Sequence, residues 1–399
     1  MPAIEYPKRL RTRDATLERL IARIDRRLER ARELSSRFTY WRLGIFVLGA
    51  AVSVAFFHQE AYHLGNIALA LFLLIFLIVA RYHSRLERRM HRLRLWRRMK
   101  QGHLARLRLD WTRIPQRNTP NPEAHSYAAD LDLVGPHSLL QLIDTSLSSN
   151  GRERLAAWLL DQPSDPDEWL RRQSLTKELS RLSLFRDRLA LEASLVDETE
   201  LNGTRIHSSL LPPIGFAGLV PLLITQALLA ATTLTLISAW AVLGLPEYWA
   251  LSFAAYAALY LLTSGRTEPV FSRALSLHRE LDKLGSVFGF LEGRSYASTP
   301  AVARLCEPLI RGHARPSAYI HRLARVAQAL SIRAHPLVHL VLNGLIPWDL
   351  FFTYRLEGLR RQVLTEVPVW LNTLADLEAA SSVGTFAYLN PDYRWPSLL

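Results

Sequence analysis

One cysteine, Cys306, and four lysines, Lys8, Lys100, Lys177 and Lys283, are all that this 399-residue chain holds of two residue types on which much protein chemistry depends. The lone thiol excludes an intramolecular disulfide framework and any multi-thiolate metal site, which fits a reducing compartment. With Glu307 and Pro308 beside it and nothing to depress its pKa, Cys306 reads as a small core residue. None of the lysines follows a glycine. A phosphate-binding loop requires Gly-Lys-Ser/Thr, because the lysine neutralises phosphates while the hydroxyl coordinates magnesium. ATP turnover is therefore not expected of this chain by itself. Ser286 and Ser295 lack a Gly-x-Ser-x-Gly elbow. His335 and His339 are four apart, but Pro336 separates them and no carboxylate motif accompanies them. No catalytic, cofactor-binding or metal-binding residue is assigned. Runs of alternating apolar and polar residues are also missing, so the expected fold class is all-α, without a sheet.

Positive charge is abundant instead, and it is unevenly placed. The net charge is +13, which points toward polyanions: nucleic acid or an anionic lipid surface. Between Arg81 and Arg117 thirteen Lys/Arg face two acids, Glu87 and Asp110, so most of the surplus is regional. This block directly follows an apolar run, the position of a juxtamembrane segment drawn to acidic headgroups, and Arg85, Arg88, Arg89 and Arg92 are the candidate lipid contacts. A second basic region, Arg311, Arg315, Arg322 and Arg325 with His313 and Arg333, reads first as a solvated helical face. Contact with a nucleic-acid backbone is its alternative.

Four apolar runs make two pairs. Trp41 to Phe57, uncharged apart from Arg42 at its start, and Leu64 to Ala80 flank a short polar turn, and Ile214 to Ala239 and Tyr248 to Thr263 flank a turn with Gly244, Pro246 and Glu247. Their lengths approach the roughly 20 residues needed to cross a bilayer. Tyr40, Trp41, Tyr62 and Tyr82 mark the ends of the first pair as interfacial anchors would. Buried core helices of a soluble protein are the competing reading. Eleven Lys/Arg precede Tyr40, the segment from Arg81 to Arg117 holds thirteen, and neither hairpin tip holds any. The positive-inside rule then expects a multi-pass protein of a bacterial inner membrane, with both termini and all long segments in the cytoplasm.

Residues 1–39 are expected to form an amphipathic helix with a heptad seam at Leu17, Ile21, Ile24, Leu28 and Ala31, packing on its own chain or else in a homodimeric coiled coil. Residues 40–80 are the first transmembrane hairpin, and 81–117 a basic juxtamembrane helix and linker. Prolines 115, 120 and 122 place a domain boundary there. In 124–210, Ser138 to Ser146 reads as a short helix, and Asn150 as the cap of the next, which Pro163 and Pro166 end. Residues 214–263 are the second hairpin. In 266–399, Val270, Ala274, Leu277, Leu281, Leu284, Phe288 and Leu291 predict a long strut with a narrow seam. Four shorter helices follow: 318–330, 337–345, 350–366 and 369–386.

His137-Ser138-Leu139-Leu140-Gln141-Leu142-Ile143-Asp144-Thr145, followed by Asn150-Gly151-Arg152-Glu153-Arg154-Leu155-Ala156-Ala157-Trp158-Leu159-Leu160, resembles the start of the MutS core domain. The next helix, with Arg171-Arg172-Gln173 and Glu178-Leu179, looks like that family's arginine-glutamine helix. Gly384-Thr385-Phe386-Ala387-Tyr388-Leu389-Asn390-Pro391-Asp392-Tyr393-Arg394-Trp395-Pro396 is similar to the run-in before the ATPase domain in the family's membrane-embedded branch. The resemblance covers roughly residues 124–399. It implies a membrane-anchored core or lever fragment that couples an ATPase domain, in cis or in trans, to the membrane or to DNA. ATP and magnesium would belong to that ATPase domain and not to this chain. The second hairpin stands where mismatch-repair relatives insert their DNA clamp, and no mismatch-reading domain precedes the core. Ending just after the run-in, the chain reads as truncated or as lacking a partner. The alternatives are a non-enzymatic membrane scaffold that binds anionic lipid or a protein, and a membrane-tethered DNA-binding protein.

Overall fold

The computed structural model describes residues 8–58, 62–117, 127–128, 130–161, 165–196, 200–213, 215–311, 315–331 and 336–397. Among these every regular element is a helix, and the only strand-like pairing is an isolated bridge between Ser148 and Leu201. The chain divides into two compact units, residues 1–117 with 386–399, and residues 118–385.

Two long helices build the first unit: α1 (Lys8–His58) and α2 (Tyr62–Leu107). Their partners advance in opposite directions along the two chains: Asp14 with Arg108, Asp25 with Arg97, Ser35 with Glu87, Phe46 with Phe72. The pair is therefore an antiparallel hairpin, and α1 is one helix where the sequence suggests an amphipathic helix and a separate span. The heptad seam is filled from within the chain: Ile24 and Leu28 are buried against Met90, with Leu93 and Trp96 around them. Leu17 packs with Leu107 and Leu389, near which the Arg13 guanidinium lies 4.0 Å from the centre of the Tyr388 ring.

The second unit begins with short helices α3 (Leu139–Ile143), α4 (Ser149–Leu160), α5 (Pro166–Arg181), α6 (Ser183–Val196) and α7 (Gly203–Leu210). The second hairpin follows as α8 (Leu219–Leu243) and α9 (Trp249–Glu292). Gly244 at φ +66° closes α8, donating its N–H to the Trp240 carbonyl, a left-handed position natural to glycine. Then come α10 (Pro300–Leu305), α11 (Glu307–Ile310), α12 (Pro316–Ser331), α13 (Pro336–Leu345), α14 (Trp348–Val363) and α15 (Val367–Leu389).

Two sequence expectations are corrected here. The cap of α4 is Ser148, whose hydroxyl accepts from Gly151 N–H, while Asn150 sits inside the helix and bonds Thr204 instead. Pro166 does not end a helix but opens α5, where its missing N–H costs nothing. Pro163 lies outside the described residues.

One core joins helices from both sides of the second hairpin: Leu179, Phe185, Leu189, Ile206, Leu284, Phe288, Ile320, Trp370 and Leu377 belong to it. Cys306 is in this core, where burial pushes its thiol up to about 12. Helix N-termini leave N–H groups without intrahelical partners, and buried or half-buried glutamates meet them at three places. Glu178 accepts from Ala301 and Val302 at the start of α10, and Glu292 from Ser317 at the start of α12. Glu378, on α15, accepts from Leu147 and Ser148 just before α4, at 3.1 and 3.0 Å.

Candidate functional site

Large apolar side chains are usually covered, and in this chain they are uncovered in well-defined stretches. On α1 and α2, Phe46, Val47, Leu48, Val54, Ile67, Leu71, Leu74, Leu77 and Ile78 are all exposed. On α8 and α9 the same holds for Ile224, Leu228, Val242, Leu251, Leu261 and Leu262, with Val242 81 % and Leu251 78 % exposed. A water-soluble core helix would hide such residues. Among the described residues two helices are long and apolar enough to cross a membrane, α2 and α8. Of the four spans expected from sequence, the run in α1 yields a shorter apolar segment, Gly44–Ala55, and the apolar half of α9 is not among the qualifying helices.

The helix α9 also differs from the expectation of a span and a separate strut. It runs 44 residues without a break, from Trp249 through exposed Leu251 and Leu262 to buried Leu281, Leu284, Phe288 and Leu291. At roughly 1.5 Å per residue that is about 66 Å of continuous helix. The side chains of Val270, Ala274 and Leu277 lie outside the described residues.

The arginines of α2 separate into two groups. Those far from its apolar half are paired with α1: Arg97 with Asp25, and Arg108 with Asp14 at 2.9 Å and with Glu18. Arg85, Arg88, Arg89 and Arg92, the candidate lipid contacts, are all exposed next to the apolar half, and no described residue pairs with them. The second basic region divides as well. Arg311 pairs with Glu307 at 2.8 Å, and Arg315 is exposed at the start of α12. Arg322 and Arg325 turn into a cleft of ≈ 1030 Å³ with Arg355 and Arg361 of α14. His313 and Arg333 are outside the described residues.

Sequence reading missed a polar cluster beside the second hairpin. His339 of α13 bonds Asp349 of α14 at 2.9 Å, Asn343 donates to the same carboxylate at 3.3 Å, and Asp349 N–H returns to the Asn343 side chain at 3.1 Å. Tyr256, in the apolar half of α9 and 2 % exposed, donates its hydroxyl to the Asn343 carbonyl, and the Tyr260 ring faces His339 at 6.4 Å. Thr233 and Ser252 join α8 to α9 at 2.9 Å. His335, the other half of the histidine pair, is outside the described residues. The helix that carries this cluster is itself apolar and uncovered: Val338, Leu340, Val341, Leu345 and Ile346 are exposed, followed by exposed Phe351 and Tyr354 on α14. At 10 residues α13 spans about 15 Å, half of a bilayer core of about 30 Å.

Below the hairpin a buried ion pair ties its entry to α14. Arg360 donates to Glu357 at 2.8 Å and to the Leu210 carbonyl at 3.0 Å, and Glu357 accepts from Gly215 N–H at 3.3 Å. On the entry's other side the Arg266 guanidinium stands 5.9 Å from the centre of the Phe216 ring.

The segments that carry the MutS resemblance meet around α15. Thr145 N–H donates to the Ser382 hydroxyl at 3.2 Å, and Ser148 bonds Glu378. Gly151 lies so close to Glu378 that a Cβ there would collide with its carboxylate, and Gly384 packs on Leu179 and Ser180 of α5. Glu378 is 2 % exposed, and burial lifts its carboxyl to about 7 against the hydrogen bonds from Ser148 and Leu147 that favour its charge. No family model, curated protein or solved structure matches the chain.

Proposed function

We propose that this protein is a membrane-anchored helical coupler: a core or lever of MutS type that holds a hairpin pair in the bilayer and a helical body in the cytoplasm. The observation that carries the reading is α9, one helix whose first half exposes its leucines and whose second half buries them in the core. A water-exposed belt of that size has no soluble rationale, and an unbroken helix is the simplest element that moves both ends together. The packing of three resemblance-bearing segments around α15 supports the MutS-like part. An ATPase domain, in cis or in trans, would supply ATP, magnesium and the driving motion, and this chain would transmit it. In a bacterial inner membrane, unpaired Arg85, Arg88, Arg89 and Arg92 would sit at the cytoplasmic headgroups. The same arginines favour a scaffold reading, in which lipid binding is the whole function. DNA contact draws less support, because Arg311 is already paired and Arg322 and Arg325 face a cleft. The heptad seam of α1 is occupied within the chain, so a dimer would have to use another surface.

Flotation with liposomes tests anchoring: the full chain should float, resist carbonate and need detergent for extraction. Recovery as a soluble monomer without detergent would overturn the reading. Spin labels at exposed Leu262 and at Asp282, with Cys306 too buried to react, should lie about 30 Å apart in bilayers. A MutS-type ATPase module added in trans should bind the reconstituted chain. No binding would leave the scaffold.

A further inference from the structure

The cleft between α12, α14 and the entry to α8 has two unlike walls. On one side stand Arg322, Arg325, Arg355 and Arg361. The single carboxylate on the lining, Glu357, is buried and already held by Arg360 and Arg361. Among the described residues Arg325 and Arg355 meet no acid, and Arg322 has only the Tyr319 ring, 5.7 Å from its guanidinium carbon to the ring centre. On the other side, at the entry to α8, are Phe216 and Val220, leading to exposed Ile224 and Leu228 of that helix.

Guanidinium groups that are exposed, convergent and without carboxylates select a phosphate, since their planar forks match its oxygens. An apolar wall adds a second requirement that neither inorganic phosphate nor a nucleic-acid backbone meets. A molecule with phosphate at one end and hydrocarbon at the other satisfies both walls. We propose that this cleft is a specific site for an anionic glycerophospholipid, its headgroup phosphate on Arg322, Arg325 and Arg355 and its chains along Phe216, Val220 and the outer face of α8. The site is separate from the basic stretch of α2, which would meet headgroups as a diffuse surface. It rests on the reading that α8 and α9 lie in a bilayer.

The full chain in neutral detergent is titrated with phosphatidylglycerol or with phosphatidylcholine, and bound lipid is counted by native mass spectrometry. Phosphatidylglycerol should be retained in clear preference. R325A/R355A should weaken it by about thirtyfold, taking a surface arginine's usual attraction twice. Both side chains are exposed, so the melting temperature of this variant should match the parent and a folding defect would show there. R85A/R88A/R89A/R92A should leave retention within twofold, and neither millimolar inorganic phosphate nor duplex DNA should displace the lipid. Equal retention of both lipids, unchanged binding by R325A/R355A, loss confined to the α2 variant, or displacement by free phosphate or by DNA would each overturn the proposal. Failure of the membrane reading would look different: the chain would stay soluble without detergent in the flotation assay.

Discussion

Replacing Glu378 by glutamine should remove a pH dependence that runs opposite to that of an ordinary surface carboxylate. The Glu378 side chain is fully enclosed, takes hydrogen bonds from Leu147 N–H, Ser148 N–H and the Ser148 hydroxyl, and has Asp144 close enough to oppose its charge. Burial outweighs the hydrogen bonds and lifts its pKa from 4.5 to about 7. The folded state therefore holds this proton more tightly than the unfolded chain does. Its contribution to stability is complete below about 4.5 and is lost as pH rises through about 7. The difference between the limits is about 3 kcal/mol. At roughly 2–4 °C per kcal/mol for a unit of this size, melting of the full chain in neutral detergent should fall by about 5–10 °C between pH 5 and pH 8, over which about 2.5 kcal/mol of that difference is lost. Far-UV circular dichroism reads the transition. Glu378→Gln keeps an acceptor for the two N–H groups and cannot ionise, so its melting temperature should vary with pH by that much less than the parent's. Glu168, held down to about 2 first by its hydrogen bond from Arg171, titrates below this window and does not confuse the comparison. Identical pH profiles for parent and variant would refute the account of Glu378 as a buried, proton-binding carboxylate.

Arg360→Ala should destabilise the second unit by about 1.5–3 kcal/mol in thermal melts, because Glu357 and the Leu210 carbonyl lose their buried donor while Arg361 still holds the carboxylate. Arg360→Lys should rescue only part of this, as one ammonium cannot serve both the carboxylate and the Leu210 carbonyl. Asp349→Ala should cost about 1.5–3 kcal/mol by leaving His339 and Asn343 without their acceptor, and a near-neutral melt would show the cluster to be incidental. Leu340→Arg separates lipid from water at α13: about 2.5–3.5 kcal/mol is expected if this exposed face meets hydrocarbon, and within about 0.5 kcal/mol if it meets water.

The all-helical class was legible because periodicity and the lack of alternation both point the same way, and the apolar runs announced themselves by composition. Where sequence reading failed, the reasons are physical. It divided α9 near residue 263, where the uncharged run ends, yet the helix continues through Ser264, Gly265 and Arg266 without a break. It put the cap of α4 on Asn150, which has Glu153 three residues on, whereas Ser148, an equally good capping residue by type, is the one that Glu378 also engages. It placed a helix at 337–345, where α13 stands, but not the exposure of its apolar side chains, which depends on what packs beside it. The polar cluster of His339, Asn343, Asp349 and Tyr256 was beyond it altogether. Those residues come from three helices, and only the packing of α13 and α14 beside α9 unites them. The arginine cleft was half visible: Arg322 and Arg325 were singled out, but Arg355 and Arg361 arrive from another helix and change the meaning of the pair.

A strut transmits motion only if both of its ends are held, and α9 is held at each by a different device. Its apolar half is tied to α8 through Thr233 and Ser252 and to α13 through Tyr256. Its core half lies against α12, with Gly285 letting His321 approach, and Glu292 at its end caps α12. Helix α14 joins the two regions, because Asp349 at its start holds α13 and Glu357 with Arg360 near its end hold the entry to α8. A force on α14 therefore reaches the hairpin by two routes that do not pass along α9. Breaking the Asp349 or the Arg360 clamp should leave the Leu262 to Asp282 separation at about 30 Å, since the helix itself is untouched. What should change is the spread of distances between α14 and α8, which would widen in either variant. If the α9 separation collapsed as well, the helix would owe its continuity to its clamps and could not act as the independent strut on which coupling depends.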